Sequence, residues 1–231
     1  MKRSEINKIM RSADQFIKER GFFLPPFAYW KPEDWRTKGE EVGGIVANHL
    51  GWDITDFGLG DFSKHGLFLF TLRNGNPDNW KTLQGKLYAE KIMLVEQDQI
   101  TPYHFHWNKM EDIINRGGGN LMIQLYNATP QEDFDRVSPV ILSVDGTERV
   151  LPAGGILCLE PGESVSLPQF CYHQFWGQAG RVLVGEVSMV NDDHTDNRFN
   201  PPVGRFPTIE EDEDPFYLLC NDYARYYRKF E

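Results

Sequence analysis

The sequence has few cysteines and no long apolar segment, and both features exclude whole classes of protein. Its three cysteines, Cys158, Cys171 and Cys220, are an odd and widely spaced set without a CxxC pair. A disulfide framework is therefore not expected, and a reducing cytoplasm is the expected location. Because no run of about 18 apolar residues occurs, we expect no membrane-spanning helix. The opening MKRSEINKIM also lacks the apolar stretch and cleavage site of a secretory signal.

Positive charge is scarce as well. The 231 residues carry 24 Lys and Arg against 34 Asp and Glu, a formal net charge of -10. This excess of negative charge argues against nucleic acid and against an anionic membrane surface as partners. We expect a small neutral ligand instead.

Helical patterning is limited to the two ends of the chain. Residues 4–20 predict one amphipathic helix, which Ser4 can cap and which Gly21 can end in a left-handed conformation. The aromatic-rich segment 22–35 contains the Pro25-Pro26 pair, which forbids a regular helix or an internal strand there. It is either a strap over one face of the fold or a segment that brings Trp30 near a ligand.

The remaining sequence is β-prone and divided by turn residues such as Asp145-Gly146 and Pro161-Gly162. Many short strands with only terminal helices indicate an all-β fold, a small antiparallel jelly-roll barrel. The predicted strands cover residues 66–73, 86–96, 101–107, 120–127, 138–144, 155–160, 165–170 and 181–190.

No linker interrupts the chain, so we predict a single domain over residues 1–231. Residues 1–65 supply the N-terminal helix and strap, residues 66–190 the barrel, and residues 191–231 a closing segment. Within the closing segment, the acidic run 210–214 is expected to form a solvated loop. A short helix is expected in NDYARYYRKF.

The segment TPYHFHWNKME contains the clearest chemical signal. Side chains alternate along a strand, so His104 and His106 point the same way, and a short turn can bring in Glu111 from the next strand. His173 follows about sixty residues later. Three imidazoles and one carboxylate suit Mn, Fe, Co, Ni or Zn and leave open positions on an octahedral ion. We therefore predict a metal site at His104, His106, Glu111 and His173.

A lone HxH pair on a strand often has only a structural role, so the surrounding residues must distinguish that role from a metal site. A tight turn predicted at 116–119 and the later glycines and proline at Gly155, Pro161 and Gly162, ahead of His173, favour a metal site. The other histidines lie outside this pattern. Structural roles are expected for two of them and either role for the third: His49, His65 and His194.

These motifs resemble those of the cupin superfamily, although the spacing from Pro161 to His173 is longer than usual. More narrowly, the chain resembles the bacterial D-lyxose isomerases through GWDITDFG, LFTLRNG, YAEKIM, TPYHFHWNKMEDIINRGGGNL, LVGEVSMVNDD and LLCNDY. The resemblance implies a cupin fold, the same four metal ligands and Mn²⁺, with Co²⁺, Fe²⁺ or Zn²⁺ as alternatives. It also implies a homodimer that interconverts D-lyxose with D-xylulose and D-mannose with D-fructose.

Two charged residues in apolar strands fit this chemistry. A metal that chelates two neighbouring oxygens acidifies the C–H bond, and the enediol that forms needs a base and a proton relay. Glu186 is the candidate base, and Lys91 can stabilise negative charge or move a proton. Alternatively, Lys91 and Glu186 pair in the interior or face solvent.

Weaker candidates for sugar contacts are Gln124, which offers an amide, Trp176, which can pack on a sugar ring, and Asp193. Asp193 and Glu213 either cap the pocket or face solvent. Two other functions remain open at this point, an iron-dependent dioxygenase and a non-catalytic sugar-binding cupin. The preferred sugar, the metal, the general base and the choice between proton transfer and hydride shift are not determined by sequence.

Overall fold

Antiparallel strands dominate the computed structural model, which describes residues 1–227. Within these residues the strands are β1 Gly51–Thr55, β2 Leu67–Arg73, β3 Tyr88–Val95, β4 Thr101–Phe105, β5 Glu111–Ala128, β6 Phe134–Asp135, β7 Val140–Val144, β8 Thr147–Leu151, β9 Ile156–Leu159, β10 Ser164–Leu167, β11 Cys171–Met189 and β12 Arg198–Phe199. The helices are α1 Arg3–Glu19, α2 Pro32–Trp35, α3 Gly43–Ala47, α4 Asn79–Thr82 and α5 Tyr223–Tyr226, with short 3₁₀ turns at Pro26–Tyr29, Glu40–Val42 and Cys220–Asp222. The predicted all-β barrel with an N-terminal helix is confirmed.

Two long strands, β5 and β11, pair with each other along most of their length and are shared by both layers of the barrel. One layer has the order β1-β2-β3-β11-β5-β10-β7-β8. In the other layer, β4 pairs with β11 and β12, while β6 and β9 pair with β5. The first residues of β5 pair with β10 and its later residues with β9. Each long strand therefore crosses from one layer to the other.

Glycines allow β5 to make this crossing. The tight turn predicted at 116–119 is wrong, because the strand continues through it as an irregular bend opposite β11. Gly117 and Gly118 have φ of 128° and 109°, values that side chains rarely permit. A Cβ on Gly118 would also lie 2.1 Å from the carbonyl oxygen of Arg181.

The barrel interior is filled by every second side chain of the strands. On β5 the buried positions alternate through Ile113, Leu121, Ile123 and Leu125. The outer face of β1, β2 and β3 is also buried, because α1 covers it. The residues of α1 that supply this second core recur at helical spacing: Ile6, Met10, Ala13 and Ile17.

The ends of α1 differ in how well they were predicted. Gly21 has φ of 70° just after the helix, as predicted. Ser4 does not cap the helix, because α1 begins one residue earlier with Lys2 at the N-cap position. The Ser4 hydroxyl instead donates to Asp212 at 2.7 Å.

The acidic run 210–214 is an exposed loop, as predicted, and it also contacts the start of α1. Glu211 accepts two hydrogen bonds from the guanidinium of Arg3, each 2.8 Å long. Glu213 accepts another from Asn7. The run therefore attaches the C-terminal segment to the start of α1.

The segment 22–35 packs against the strand layer and the chain's C-terminal end. Phe27 lies 5.5 Å from the ring of Phe70 on β2, and Trp30 packs edge-on against Trp35. The predicted closing helix is observed as the single turn α5, while its last residues, 228–230, lie outside the described range. Within residues 1–227, no helix is long and apolar enough to span a membrane.

Candidate functional site

The four predicted metal-binding residues come together at the centre of the barrel. His104 lies on β4 opposite His173 on β11, His106 directly follows β4, and Glu111 begins β5 after a short turn. One ligand atom from each residue lies within 4.8 Å of the others. Glu111 Oε1 is 3.2 Å from His173 Nε2 and 3.5 Å from His106 Nε2. This spacing fits a single ion.

Backbone carbonyls orient all three imidazoles in the same way. In each ring Nδ1 donates to a main-chain oxygen, which leaves Nε2 as the ligand atom. The pairs are His104 with Pro102, His106 with Asp196, and His173 with Cys171. His173 Nε2 is buried and makes no hydrogen bond within the described residues, as expected of an atom that ligates a metal.

The protonation states also favour metal binding. Burial, together with the neighbouring His173 and His106, holds the pKa of His104 well below its usual value, so this imidazole is neutral at pH 7. Burial alone would raise the pKa of Glu111, but the positive charge of Lys109 holds it well below its usual range. A neutral imidazole and an ionised carboxylate are the forms that bind a divalent ion.

Lys109, which has no predicted role, lies between two predicted ligands in the turn before β5. Its Nζ is 2.7 Å from Glu111 Oε2 and 2.9 Å from Glu186 Oε1, and the side chain is buried. Burial alone would lower the pKa of Lys109, but these carboxylates raise it, so the ammonium form persists. The available signal was its position two residues before Glu111.

Lys91 and Glu186, predicted from their strands, are both buried and face each other. They are direct cross-strand partners on β3 and β11, with Lys91 Nζ 3.4 Å from Glu186 Oε1. Lys91 also donates to Asn191 Oδ1 at 2.6 Å. The Lys91–Glu186 pair is therefore internal, and it also lies beside the predicted metal ligands.

The charged network continues beyond Lys91 to the loop after β11. Asp193 Oδ1 is 3.8 Å from Lys91 Nζ, and its Oδ2 is 3.2 Å from Arg205 Nη2. Burial alone would raise the pKa of Asp193, but Arg205 and Lys91 hold it well below its usual value. Arg205 also pairs with Asp53 at 2.7 Å. Neither Arg205 nor Asp53 was identified from sequence, because both are distant from the motif along the chain.

The predicted metal ligands, Lys91, Lys109, Glu186, Asp193 and Arg205 line one cavity together with apolar side chains. Asp193 also lines a neighbouring open pocket, which includes Asp53, His49 and His194. Asp193 is therefore shared by the two pockets. The apolar lining residues of the cavity are Phe57, Leu67, Leu69, Met93, Ile113, Phe175 and Phe199.

The structure does not bring Gln124 or Trp176 to this cavity. Gln124 lies on the face of β5 opposite the buried Ile123, and its side chain contacts Tyr103 and Gly154. Trp176 is three residues from His173 on the same strand, and an odd separation places two side chains on opposite faces. Glu213 and Trp30 are also outside the cavity lining.

Comparisons with known proteins agree over most of the chain. A family model described as D-lyxose isomerase matches residues 1–223. A D-lyxose/D-mannose isomerase from Serratia proteamaculans is 47% identical over 229 residues, covering 98% of this chain and 99% of the relative. One of the same name from Escherichia coli O157:H7 is 48% identical over 232 residues, covering 98% and 100%.

A solved structure supports the fold independently. The unliganded L-ribose isomerase of Cellulomonas parahominis superposes with a TM-score of 0.59 at 15% identity. The match covers 91% of this chain and 98% of that one. At this identity the likeness concerns the fold alone.

Proposed function

We propose that this chain, which belongs to the D-lyxose isomerase family, interconverts D-lyxose with D-xylulose and D-mannose with D-fructose. The predicted family and the predicted enzyme class, a sugar isomerase, are confirmed. One observation supports the substrate proposal most strongly. The four-residue metal group and the Lys91–Glu186 pair line one cavity, so a chelated sugar would meet a carboxylate and two ammonium groups.

The metal proposed for His104, His106, Glu111 and His173 is Mn²⁺, with Co²⁺, Fe²⁺ or Zn²⁺ as alternatives. When bound, such an ion polarises the sugar carbonyl and acidifies the adjacent C–H bond. The residues fit it because three oriented imidazoles and an ionised carboxylate converge. Lys109 holds the second oxygen of Glu111, which fixes the carboxylate in place.

Glu186 is the proposed general base. Its carboxylate takes the proton from C2 of the open-chain aldose and returns it to C1, and the hydroxyl proton of O2 moves to O1 at the enediol stage between these two steps. Lys109 donates to Glu186 Oε1 and fixes its direction. Lys91 Nζ, 3.4 Å from the same oxygen, is positioned to donate to a sugar oxygen as its negative charge develops.

The two alternative functions explain this arrangement less well. An iron-dependent dioxygenase has no evident use for a buried lysine–glutamate pair, and a non-catalytic sugar-binding cupin does not need one.

The substrate class is a small neutral monosaccharide, which both the cavity lining and the family favour. We also propose a cytoplasmic homodimer. The free thiols of all three cysteines support the cytoplasmic location. Light scattering in solution tests the homodimer.

The decisive experiment measures isomerisation of D-lyxose and D-mannose by protein stripped with EDTA and then resupplied with Mn²⁺. Activity should disappear on stripping and return with the metal. In the metal-loaded Glu186→Gln variant, kcat should fall by at least about a hundredfold, because the amide cannot accept the C2 proton. Metal content should match that of the parent protein.

Glu148→Gln, an exposed change on β8, is the matched control and should retain full activity. Turnover of neither sugar by metal-loaded protein would refute the proposed substrates. Full activity of Glu186→Gln would leave the isomerase intact and remove Glu186 from its mechanism.

A further inference from the structure

Three buried side-chain atoms make no hydrogen bond within residues 1–227: His173 Nε2, Thr101 Oγ1 and Arg205 Nη1. All three residues line the cavity described above. Buried polar atoms without partners are rare and costly in native proteins. Their concentration at one cavity indicates groups arranged for a ligand. His173 Nε2 is accounted for by the metal, whereas neither Thr101 nor Arg205 has a role so far.

Arg205 is held firmly on one side. Its Nη2 donates to Asp53 Oδ2 at 2.7 Å and lies 3.2 Å from Asp193 Oδ2, and the side chain is only 10% exposed. Two carboxylates therefore set the plane of the guanidinium before any ligand arrives. Because the donors of a guanidinium have fixed relative directions, this pairing also fixes the direction of Nη1.

Arg205 lies at the end of the charged network that is remote from the metal ligands. From Glu111 the contacts run through Lys109, Glu186 and Lys91 to Asp193, and then to Arg205. The signs alternate at every step, so the wall presents donors and acceptors in turn. A linear sugar whose first two oxygens lie at the metal ligands would extend along this wall.

We propose that Arg205 Nη1 donates a hydrogen bond to the terminal hydroxyl of the bound open-chain sugar. The inference rests on the proposed function, because it places the sugar carbonyl at the metal ligands. Arg205 then acts in substrate binding and specificity. A sugar without that hydroxyl leaves the buried donor unpaired and is rejected.

The test compares kcat/KM for D-lyxose and 5-deoxy-D-lyxose in the parent protein and in Arg205→Lys. The lysine retains a positive charge for Asp53 and Asp193 but lacks the second nitrogen. The preference for D-lyxose should shrink by about tenfold to a hundredfold in the variant, the range expected for one hydrogen bond from a charged donor. The ratio is measured within each preparation, so it does not depend on how much of the variant folds. The different ring forms of the two sugars affect both proteins equally.

Arg181→Lys is the matched control, because Arg181 pairs with Glu96 outside the cavity. It should keep the parent's preference. An unchanged preference in Arg205→Lys would overturn the proposal.

Binding of D-arabinitol, the linear polyol with the configuration of D-lyxose, separates this proposal from the isomerase assignment. Calorimetry on Mn²⁺-loaded protein should show at least about tenfold weaker binding to Arg205→Lys. If the parent protein turns over neither sugar but shows this weakening, the isomerase assignment fails and the role of Arg205 stands. Equal affinity in both proteins, or no binding to the parent, would overturn the role of Arg205.

Discussion

At the scale of single residues, the site depends on buried charges that neutralise one another. Lys109 is the clearest case, because its ammonium lies between Glu111, a proposed metal ligand, and Glu186, the proposed base. Each carboxylate would be costly to bury without it. One lysine therefore links the metal group to the acid–base chemistry.

Replacing Lys109 with methionine should lower the free energy of unfolding of the metal-free protein by about 3–5 kcal/mol, the usual cost of leaving a buried ion without its partner. Urea unfolding followed by circular dichroism measures this. Lys81→Met removes an exposed lysine that pairs with Asp78 and should cost less than about 1 kcal/mol. Equal losses in the two variants would contradict the role given to Lys109.

At the scale of elements, the crossing strands β5 and β11 position the ligands. Glu111 lies at the start of β5, and His173 lies near the start of β11. The bend at Gly117 and Gly118 lets β5 contribute to both layers of the barrel. Correct positioning of Glu111 therefore requires backbone that only glycine adopts readily.

Gly118→Ala should destabilise the protein by about 3 kcal/mol, because the new methyl would meet the carbonyl of Arg181 at a positive φ. Gly146→Ala is a suitable comparison. Gly146 also has a positive φ, of 78°, but open space surrounds its Cβ position, so the expected cost is only about 1 kcal/mol. Thermal and urea unfolding measure both variants. If Gly118→Ala were as stable as Gly146→Ala, the contact between the new methyl and the Arg181 carbonyl would be relieved at little cost in unfolding free energy.

At the scale of the whole molecule, the two ends of the chain are joined by buried charge. Arg3 at the start of α1 donates to Glu211 and to Asp222 at distances of 2.8–2.9 Å. The Arg3 side chain is only 1% exposed. The helix that covers the outer core is therefore attached to the C-terminal segment.

Arg3→Met should lower the free energy of unfolding at pH 7 by about 3 kcal/mol, since it leaves Asp222 partly buried without its cation. Arg225→Met removes an exposed cation from the same Glu211 and should cost less than about 1 kcal/mol. Urea titrations compare the two. An equal loss of unfolding free energy in the two variants would contradict the role given to the buried Arg3–Asp222 pair.

The Arg3 effect should also depend on pH. Its hydrogen bond lowers the pKa of Glu211, so the folded state holds this proton less tightly than the unfolded state does. The resulting stabilisation is fully present above the ordinary glutamate pKa of about 4.3 and is lost as the pH falls below it. The difference in the free energy of unfolding between the parent protein and Arg3→Met should therefore narrow as the pH falls from 6 to 3. A constant difference would exclude this linkage.

The amino-acid sequence by itself determined the local features of this protein. Period-two patterning and turn residues located eight strands, each of which overlaps an observed one. The spacing of His104, His106 and Glu111 predicted their convergence, because strand alternation and one short turn are local geometry. The division of the chain into helix, barrel and closing segments stays a prediction. Patterning also missed β1, which is fully buried, β8, which is almost fully exposed, and the two-residue strands β6 and β12, because none of them alternates.

Only the tertiary structure decided which face of each strand lines the cavity and which distant residues complete it. Gln124 and Trp176 fell on the outer face, because a strand's pattern gives two faces without saying which one is inside. Arg205 and Asp53 joined the site from 152 residues apart. Such pairings follow from the register of strands across the barrel and from the bend in β5. These are set by packing of the whole core, which no local pattern encodes.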